Sequence, residues 1–540
     1  MKTNIKDILI GGLALTMVGC TDLNVDVDSL YTSYPANENA IEAQLADIYF
    51  HMRDCFGRRF MEGTALSSDE FTAISYGGNW YDSGAYAHPS LHNFTYEDVS
   101  IDWMTVLASG IVKANEVINS DAAYKYRASA RAIRAFYTFI EMDAWGDVPI
   151  NDETLADQID IEERQPRANV AEWIESELLE IKDSLPTTDL WGDNYGKPTK
   201  YMALALLAKL YINWAVYTTD DVADYEASTA KNEKLQNCVS VCDEIINSGV
   251  FNLGSMSYMM KFSPYNTDLQ VEDFIYVMPY DTYNATGMQY GRSHSYKDIK
   301  NLNPSYYGEK LSNSGGGYIT VTPECAERFC LEGDQRNNAI IGLGDGTVYV
   351  YDPETCEPTT TPCYDRDGNV LVLNKDIQLV TEDNTLNVGD NLEGWRQGCR
   401  SIKWFVINSD YQNSRNQSND LPIFRYADIL LMKAEAIVRG ATATNGDTPM
   451  SLFNQIRSYA GAPLLTSNPT LDEIYDERGR EFFDENWRRN DMIRFGHYED
   501  EFFPHYKDFP DAKFDKFRRI FPIHKNMLDS NPKWEQNYGY

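Results

Sequence analysis

Positive charge is scarce in this sequence. Only 47 Lys and Arg stand against 82 Asp and Glu over 540 residues, a net charge of −35. A chain this acidic repels phosphate backbones, so nucleic acid is excluded as a partner. Polyanionic substrates are disfavoured for the same reason unless a local basic pocket exists. Long hydrophobic runs are also lacking. The richest stretch beyond the N-terminus, 202–216, is interrupted by Lys209 and Asn213. It falls short of the ~18 apolar residues a membrane span needs and reads as a buried helix. Histidines number 7, and none stands in zinc-finger spacing with the 9 cysteines. Gly342 to Gly344 is a Gly-x-Gly without the rest of a dinucleotide fingerprint, hence a turn. No metal and no cofactor is expected. Cys238 and Cys242, four apart on a predicted helix, read as packing. A loop disulfide involving Cys325, Cys330, Cys356 or Cys363 is possible, with connectivity open. Aromatics are abundant at 13%, with 36 Tyr, 23 Phe and 10 Trp. Tyr suits half-wet positions, where one edge packs and the hydroxyl meets water or ligand. With 43% hydrophobic residues, wholesale disorder is excluded. The length exceeds the ~250–300 residues at which one core stops growing. Two lobes, or a helical array with an insertion, are expected.

The N-terminus reads as an address. Lys2 and Lys6 precede an apolar run over 8–18, long enough for a signal peptide and too short for a bilayer. Met17-Val18-Gly19-Cys20 follows. It resembles a bacterial lipobox, in which the cysteine is acylated and becomes the first residue, although Leu is usual where Met17 stands. The other reading is an ordinary secretory signal followed by a coincidental cysteine. The acidic run after Cys20 resembles the surface-export signal of Bacteroidetes lipoproteins. Asp22, Asn24, Asp26 and Asp28 alternate as in a calcium loop, but Val27 occupies the position of the turn glycine, which rejects that reading.

From 40 to 254 most segments read helical. In 130–145 the apolar stripe is Ile133, Phe136, Tyr137, Ile140 and Ala144. Gly146-Asp147-Val148-Pro149 then stops the helix. Further helices are expected over 170–185, 201–217 and 236–247. The helix-turn-helix units resemble tetratricopeptide pairs, without a clean 34-residue period. The middle, roughly 251–420, holds glycine clusters and short β-rich pieces at 347–351 and 370–373. Asp365-Arg366-Asp367-Gly368 reads as a hairpin turn. Helices return at 426–439, 452–459 and 471–483, and the tail to Tyr540 reads as loop.

Several C-terminal strings resemble the signature blocks of one family. Arg425-Tyr426-Ala427-Asp428-Ile429-Leu430-Leu431-Met432-Lys433-Ala434-Glu435-Ala436 is similar to its RYADxLLMxAEA signature. Asn454-Gln455-Ile456-Arg457 resembles the next element. Glu477-Arg478-Gly479-Arg480-Glu481-Phe482, with Glu485, Arg488 and Met492-Ile493-Arg494-Phe495-Gly496, resembles a third. Phe521-Pro522-Ile523, Asn531-Pro532 and Gln536-Asn537-Tyr538-Gly539-Tyr540 resemble the closing block, and 130–149 an upstream one. Gly479 inside a helix and His524 where proline is often placed are departures. The strings resemble those of the SusD/RagB nutrient-binding lipoproteins, and the resemblance implies a mainly α, SusD-like fold: a tetratricopeptide-type helical scaffold with an inserted loop- and hairpin-rich lobe. The boundaries expected are a lipoprotein signal peptide at 1–19, an N-terminal helical region at 20–254, the inserted lobe at 255–420 and a C-terminal region at 421–540. It further implies a non-enzymatic lipoprotein on the outer-membrane surface, anchored through lipid on Cys20. Such a protein would pass an oligo- or polysaccharide to a SusC-like TonB-dependent transporter.

The charged residues of the third string fall at i,i+3 and i,i+4 spacings. They read as a salt-bridge network, with an active-site carboxylate cluster as the alternative. Asp428 and Glu435, two helical turns apart, exceed the ~5–9.5 Å separation of a glycosidase pair. Sugars present apolar C–H faces, which flat aromatic rings cover while polar neighbours fix orientation. Three tracts offer this. One is Asn79-Trp80-Tyr81 behind Gly77-Gly78. The second is the tyrosine tract 276–307, with Tyr290 and Tyr296 as candidate walls. The third is Trp395-Arg396. Trp80 is the leading candidate, and a neutral glycan the expected ligand. No catalytic residue is assigned. A surface glycoside hydrolase and a peptide-binding or scaffold member of the family remain the alternatives.

Overall fold

The computed structural model describes residues 37–78, 86–151, 163–381, 384–503 and 506–540. The leader 1–19, Cys20, and the trio Asn79, Trp80 and Tyr81 lie outside the described residues. The N-terminal region carries helices α1 (Glu38–Tyr49), α2 (Met104–Ile118), α3 (Tyr124–Trp145), α4 (Arg167–Ile181), α5 (Lys200–Ile212) and α6 (Leu235–Ser248). After a loop-rich middle come α7 (Tyr426–Val438), α8 (Pro449–Ala460), α9 (Leu471–Glu481) and α10 (Arg488–Phe495). Helix α2 packs on α3, α3 on α4, α5 on α6, α6 on α7 and α7 on α8. The first long helix after the middle therefore lies against the last one before it. The middle is an excursion from a continuing helical array.

Local chemistry sets the helix limits. Helix α3 ends at Gly146, whose φ of +78° suits glycine and breaks the helical turn. Helix α5 starts where the Thr199 hydroxyl accepts from the Met202 amide at 3.1 Å. It is buried from Tyr201 to Ile212, matching its lack of a polar face. Its buried cation, Lys209, is neutralised by Asp428 at 2.5 Å and lies 4.5 Å from the Trp487 ring centroid. Reciprocal capping boxes open α8 (Thr448 with Ser451) and α9 (Thr470 with Glu473). The expected helix 201–217 breaks at Asn213, and that over 471–483 stops at Glu481. The tail departs from expectation too, since it contains α10 and a short helix at Lys525–Ser530. Helix α10 has almost no apolar periodicity to signal it, because ion pairs hold it in place.

Strands are short and paired in antiparallel twos. They are β1 (Phe71–Ala73), β2 (Phe274–Met278), β3 (Ile319–Val321), β4 (Ile340–Ile341), β5 (Tyr349–Asp352), β6 (Glu357–Pro362), β7 (Arg400–Ser401) and β8 (Leu421–Arg425). Among the described strands only β5–β6 is a local hairpin; β1 pairs β3, β2 pairs β8 and β4 pairs β7. The β2–β8 pair brings residue 274 opposite 425, so the excursion leaves and rejoins the array at one place. Asp365-Arg366-Asp367-Gly368 is a turn, with the Asp365 carboxylate accepting from the amides of Asp367 and Asn369.

The charged C-terminal string forms a buried ion-pair lattice. Arg478 bridges Asp428 and Asp491 at 2.8 Å each. Arg494 joins Asp491 at 2.6 Å to Glu435 at 2.8 Å. Arg488 grips Asp69 at 2.7 Å. Gly479 is explained by this packing: a Cβ there would lie 2.9 Å from Arg488 Nη1. His524 takes the N-cap of the last short helix, its Nδ1 accepting from the Asn526 amide at 3.2 Å. Burial alone would raise the Glu477 carboxyl, but Arg336, Arg480 and Arg457 outweigh it and hold it at about 2.

Glu141 is the opposite case. It is 2% exposed on α3, and burial pushes its carboxyl up to about 8. The folded chain therefore holds this proton more tightly than the unfolded chain does. That contribution is complete below pH ~4.5 and is lost as pH rises from there to about 8, at up to about 1.4 kcal/mol per pH unit. Urea melts of wild type from pH 5 to 9 are expected to show this decline, and Glu141→Gln to flatten it. A decline of the same slope in both proteins would refute the assignment.

Candidate functional site

The described residues that precede Asn79, Trp80 and Tyr81 form a firmly held stem. Strand β1 is held by β3, and Ser75 forms a bridge with Asn387. The Tyr76 hydroxyl donates to the Gly317 carbonyl. Gly77 and Gly78, at φ of +67° and +79°, then turn the chain through the left-handed region. The chain re-enters at Tyr86, whose hydroxyl donates to buried Glu62 at 2.8 Å. The Glu62 carboxylate also accepts from Ser293 at 2.7 Å and Tyr318 at 2.9 Å.

Trp395 and Arg396 belong to the same rim. The Lys297 ammonium lies 4.1 Å from the Tyr76 ring centroid and 3.7 Å from Asp390. Asp390 in turn accepts from Trp395 Nε1 at 2.9 Å. The Arg366 guanidinium covers the Trp395 ring at 4.7 Å and is anchored to Asp298 at 2.6 Å. Arg396 pairs with Asp365. Trp395 ends a single helical turn capped by the Asn391 side chain, which accepts from the Gly394 amide at 2.9 Å. A Cβ at Gly394 would sit 2.3 Å from the Gly389 carbonyl oxygen, so only glycine fits. The result is a half-buried ring with charged groups fixed on both sides, next to this stem.

Tyr290 and Tyr296 are corrections. Both are 0% exposed, and rings so buried offer no face to a sugar. Tyr290 packs edge-on against His294 at 4.6 Å, and the Tyr296 amide donates to the Tyr306 hydroxyl. Tyr276, Tyr280 and Tyr306 are buried as well. In that tract Tyr283 alone is well exposed, at 78%. Counting tyrosines cannot separate core from surface. The useful signal was local, since Tyr283 sits in an Asp281-capped turn. Lys297, Asp390 and Arg366 were missed, because isolated charges in loops carry no spacing signal.

The carboxylates of the C-terminal signature strings are engaged by cations. Arg425 holds Asp273, Glu481 and Glu485 at 2.6, 2.8 and 2.7 Å. Asp428 and Glu435 face different arginines. Groups paired in this way are poor general acids or nucleophiles.

Residues 274–540 match the SusD family (SusD_RagB). Over almost the whole chain the fold matches Surface glycan-binding protein A from Bacteroides fluxus. The TM-score is 0.70 at 19% identity, covering 94% of this chain and 100% of that one.

The C-terminal half of the chain, residues 274–540, is that of a SusD/RagB family protein.

The surface glycan-binding protein A from Bacteroides thetaiotaomicron, solved with laminarihexaose, is similar at a TM-score of 0.63 and 20% identity, covering 93% and 99% of the two chains. A laminarin binding SusD-like protein is similar at a TM-score of 0.68 and 19% identity, covering 93% and 100%. At these identities the likeness is one of fold. The starch-binding protein SusD of Bacteroides thetaiotaomicron is 29% identical over 157 residues, 28% of each chain. The match thus spans little more than a quarter of that SusD-family relative's length. In this chain, the signature strings of the C-terminal region are the ones that build the ion-pair lattice. Their role visible here is to hold α7, α9 and α10 against the rest of the protein.

Proposed function

We propose that this protein is a non-enzymatic glycan-binding lipoprotein of the outer-membrane surface. It captures a neutral oligo- or polysaccharide and passes it to a partner TonB-dependent transporter. The observation that carries the reading is the rim itself. A fixed tryptophan, Trp395, lies beside the stem, ending in Gly77 and Gly78, that precedes Trp80 in the sequence. A ring flanked by guanidinium and carboxylate groups suits the C–H faces and hydroxyls of a sugar. The names of similar proteins, which bind starch, laminarin or laminarihexaose, agree with a neutral glucan. Helices carrying paired carboxylates favour binding over hydrolysis.

The test is a glycan array probed with soluble protein lacking residues 1–20, followed by incubation with the best ligand. Saturable binding without release of reducing ends is expected. Release that tracks protein purity would promote the hydrolase alternative, and an empty array would refute the reading. Lipid attachment is tested separately: Cys20→Ala is expected to move the protein from the membrane fraction to the soluble fraction. Unchanged fractionation would refute the lipobox.

A further inference from the structure

Residues Cys55–Arg59 form one turn of π-helix. Such turns are rare and occur frequently at functional sites. This one is wedged against the loop at 286–289: a Cβ on Gly57 would lie 2.4 Å from the Gly287 carbonyl oxygen. Beside that contact opens a cavity of about 520 Å³, whose walls include Asp54, Arg58, Arg59, Asp102, Gln289 and Asn416. That volume lies within the range of small-ligand sites.

The polar groups of this cavity are unevenly satisfied. Arg58 is engaged by Glu62 and Tyr86, and Gln289 donates to Asn416 Oδ1 at 3.3 Å. Arg59 donates to the Val99 carbonyl at 3.1 Å through one of its nitrogens. Among the described residues, neither Asp54 nor Asp102 is held by an ion pair or a side-chain donor. Burial raises the Asp102 carboxyl above its usual range, with Arg59 opposing. A half-buried carboxylate without a partner costs free energy, which a ligand hydroxyl would offset. The loop that walls the cavity also carries Tyr283, 78% exposed and held by its Asp281 turn.

We propose that this groove is a second saccharide site, taking a single neutral hexose unit. Asp54 and Asp102 accept from its hydroxyls, and Arg59 and Gln289 donate to its oxygens. The mixture of charges decides the class. Two carboxylates repel an anion and two guanidinium groups repel a cation, whereas each sugar hydroxyl both donates and accepts. The inference rests on the reading that the chain binds glycans.

The test uses saturation-transfer NMR with free glucose, galactose and mannose at millimolar concentration, on wild type, Asp102→Asn, Arg59→Gln and Trp395→Ala. Circular dichroism and thermal melting confirm that each variant is folded. At least one hexose is expected to receive saturation from wild type. Asp102→Asn and Arg59→Gln are each expected to weaken its binding about tenfold or more, the cost of losing a charged hydrogen-bonding partner. Trp395→Ala is expected to leave the part of that signal which the two groove variants remove. The proposal is overturned if no hexose binds, or if the groove variants match wild type. It is also overturned if Trp395→Ala alone removes the signal. An array-positive oligosaccharide together with any of these results would leave the proposed function standing and remove the second site only.

Discussion

Arg425→Met is expected to destabilise the protein by about 3–5 kcal/mol, the cost of breaking a buried ion pair by removing one partner. Arg425 ends β8 and is 2% exposed. Its Nη1 donates to Asp273 and Glu481, its Nε to Glu485, and its Nη2 to Glu485 and the Glu481 carbonyl. Lys261, Arg336 and Lys403 share these carboxylates, but none spans all three. Methionine would fill much of the volume and leave three buried carboxylates short of charge. Arg425→Lys is also expected to be poor, because a point charge cannot reproduce the fork that reaches three acids. Lys113→Met is the control. Its pair with Asp47 is 2.6 Å long, with the two side chains 37% and 60% exposed, and its loss is expected to cost less than about 1 kcal/mol. Urea denaturation of the three variants decides the matter. Equal losses for Arg425→Met and Lys113→Met would mean that the buried lattice contributes no more than a surface pair.

The second large effect concerns affinity. Trp80→Ala is expected to weaken binding of the array-identified glycan roughly thirtyfold, since removing an anchoring ring costs about 2 kcal/mol or more. Trp395→Ala is expected to cost about tenfold, because Arg366 already covers the ring. Both variants should keep the wild-type circular dichroism spectrum. Tyr290→Phe and Tyr296→Phe, at buried rings, are expected to leave affinity unchanged. Isothermal titration separates the outcomes. Wild-type affinity in both tryptophan variants would remove the rim as the binding site and direct attention to Tyr283.

The helical array was legible because its signals are local. The stripe from Ile133 to Ala144 and the all-apolar run around Lys209 each announce a helix through side-chain period alone. Helix α10 was not legible. Its sequence, Arg488-Arg489-Asn490-Asp491-Met492-Ile493-Arg494-Phe495, looks like exposed loop until Asp69, Asp143 and Glu435 arrive from distant segments to neutralise it. The charged string was readable as an ion-pair network from its i,i+3 and i,i+4 spacing, but its partners were not. Arg478 reaches Asp428 and Arg488 reaches Asp69, far outside any helical window.

The sequence by itself determined the helical class, the family resemblance and the absence of a basic face. Each follows from composition, periodicity or contiguous strings. Tertiary structure decided which aromatics meet solvent. Tyr283, Tyr290 and Tyr296 are alike in sequence as loop tyrosines, yet one is exposed and two are sealed. Burial depends on which distant segments pack above a ring, and that information is spread over the whole chain. The same reason placed Trp395 beside Tyr76 and the stem before Asn79. Residues more than 300 positions apart become neighbours only because β1 pairs with β3 and Ser75 bridges Asn387.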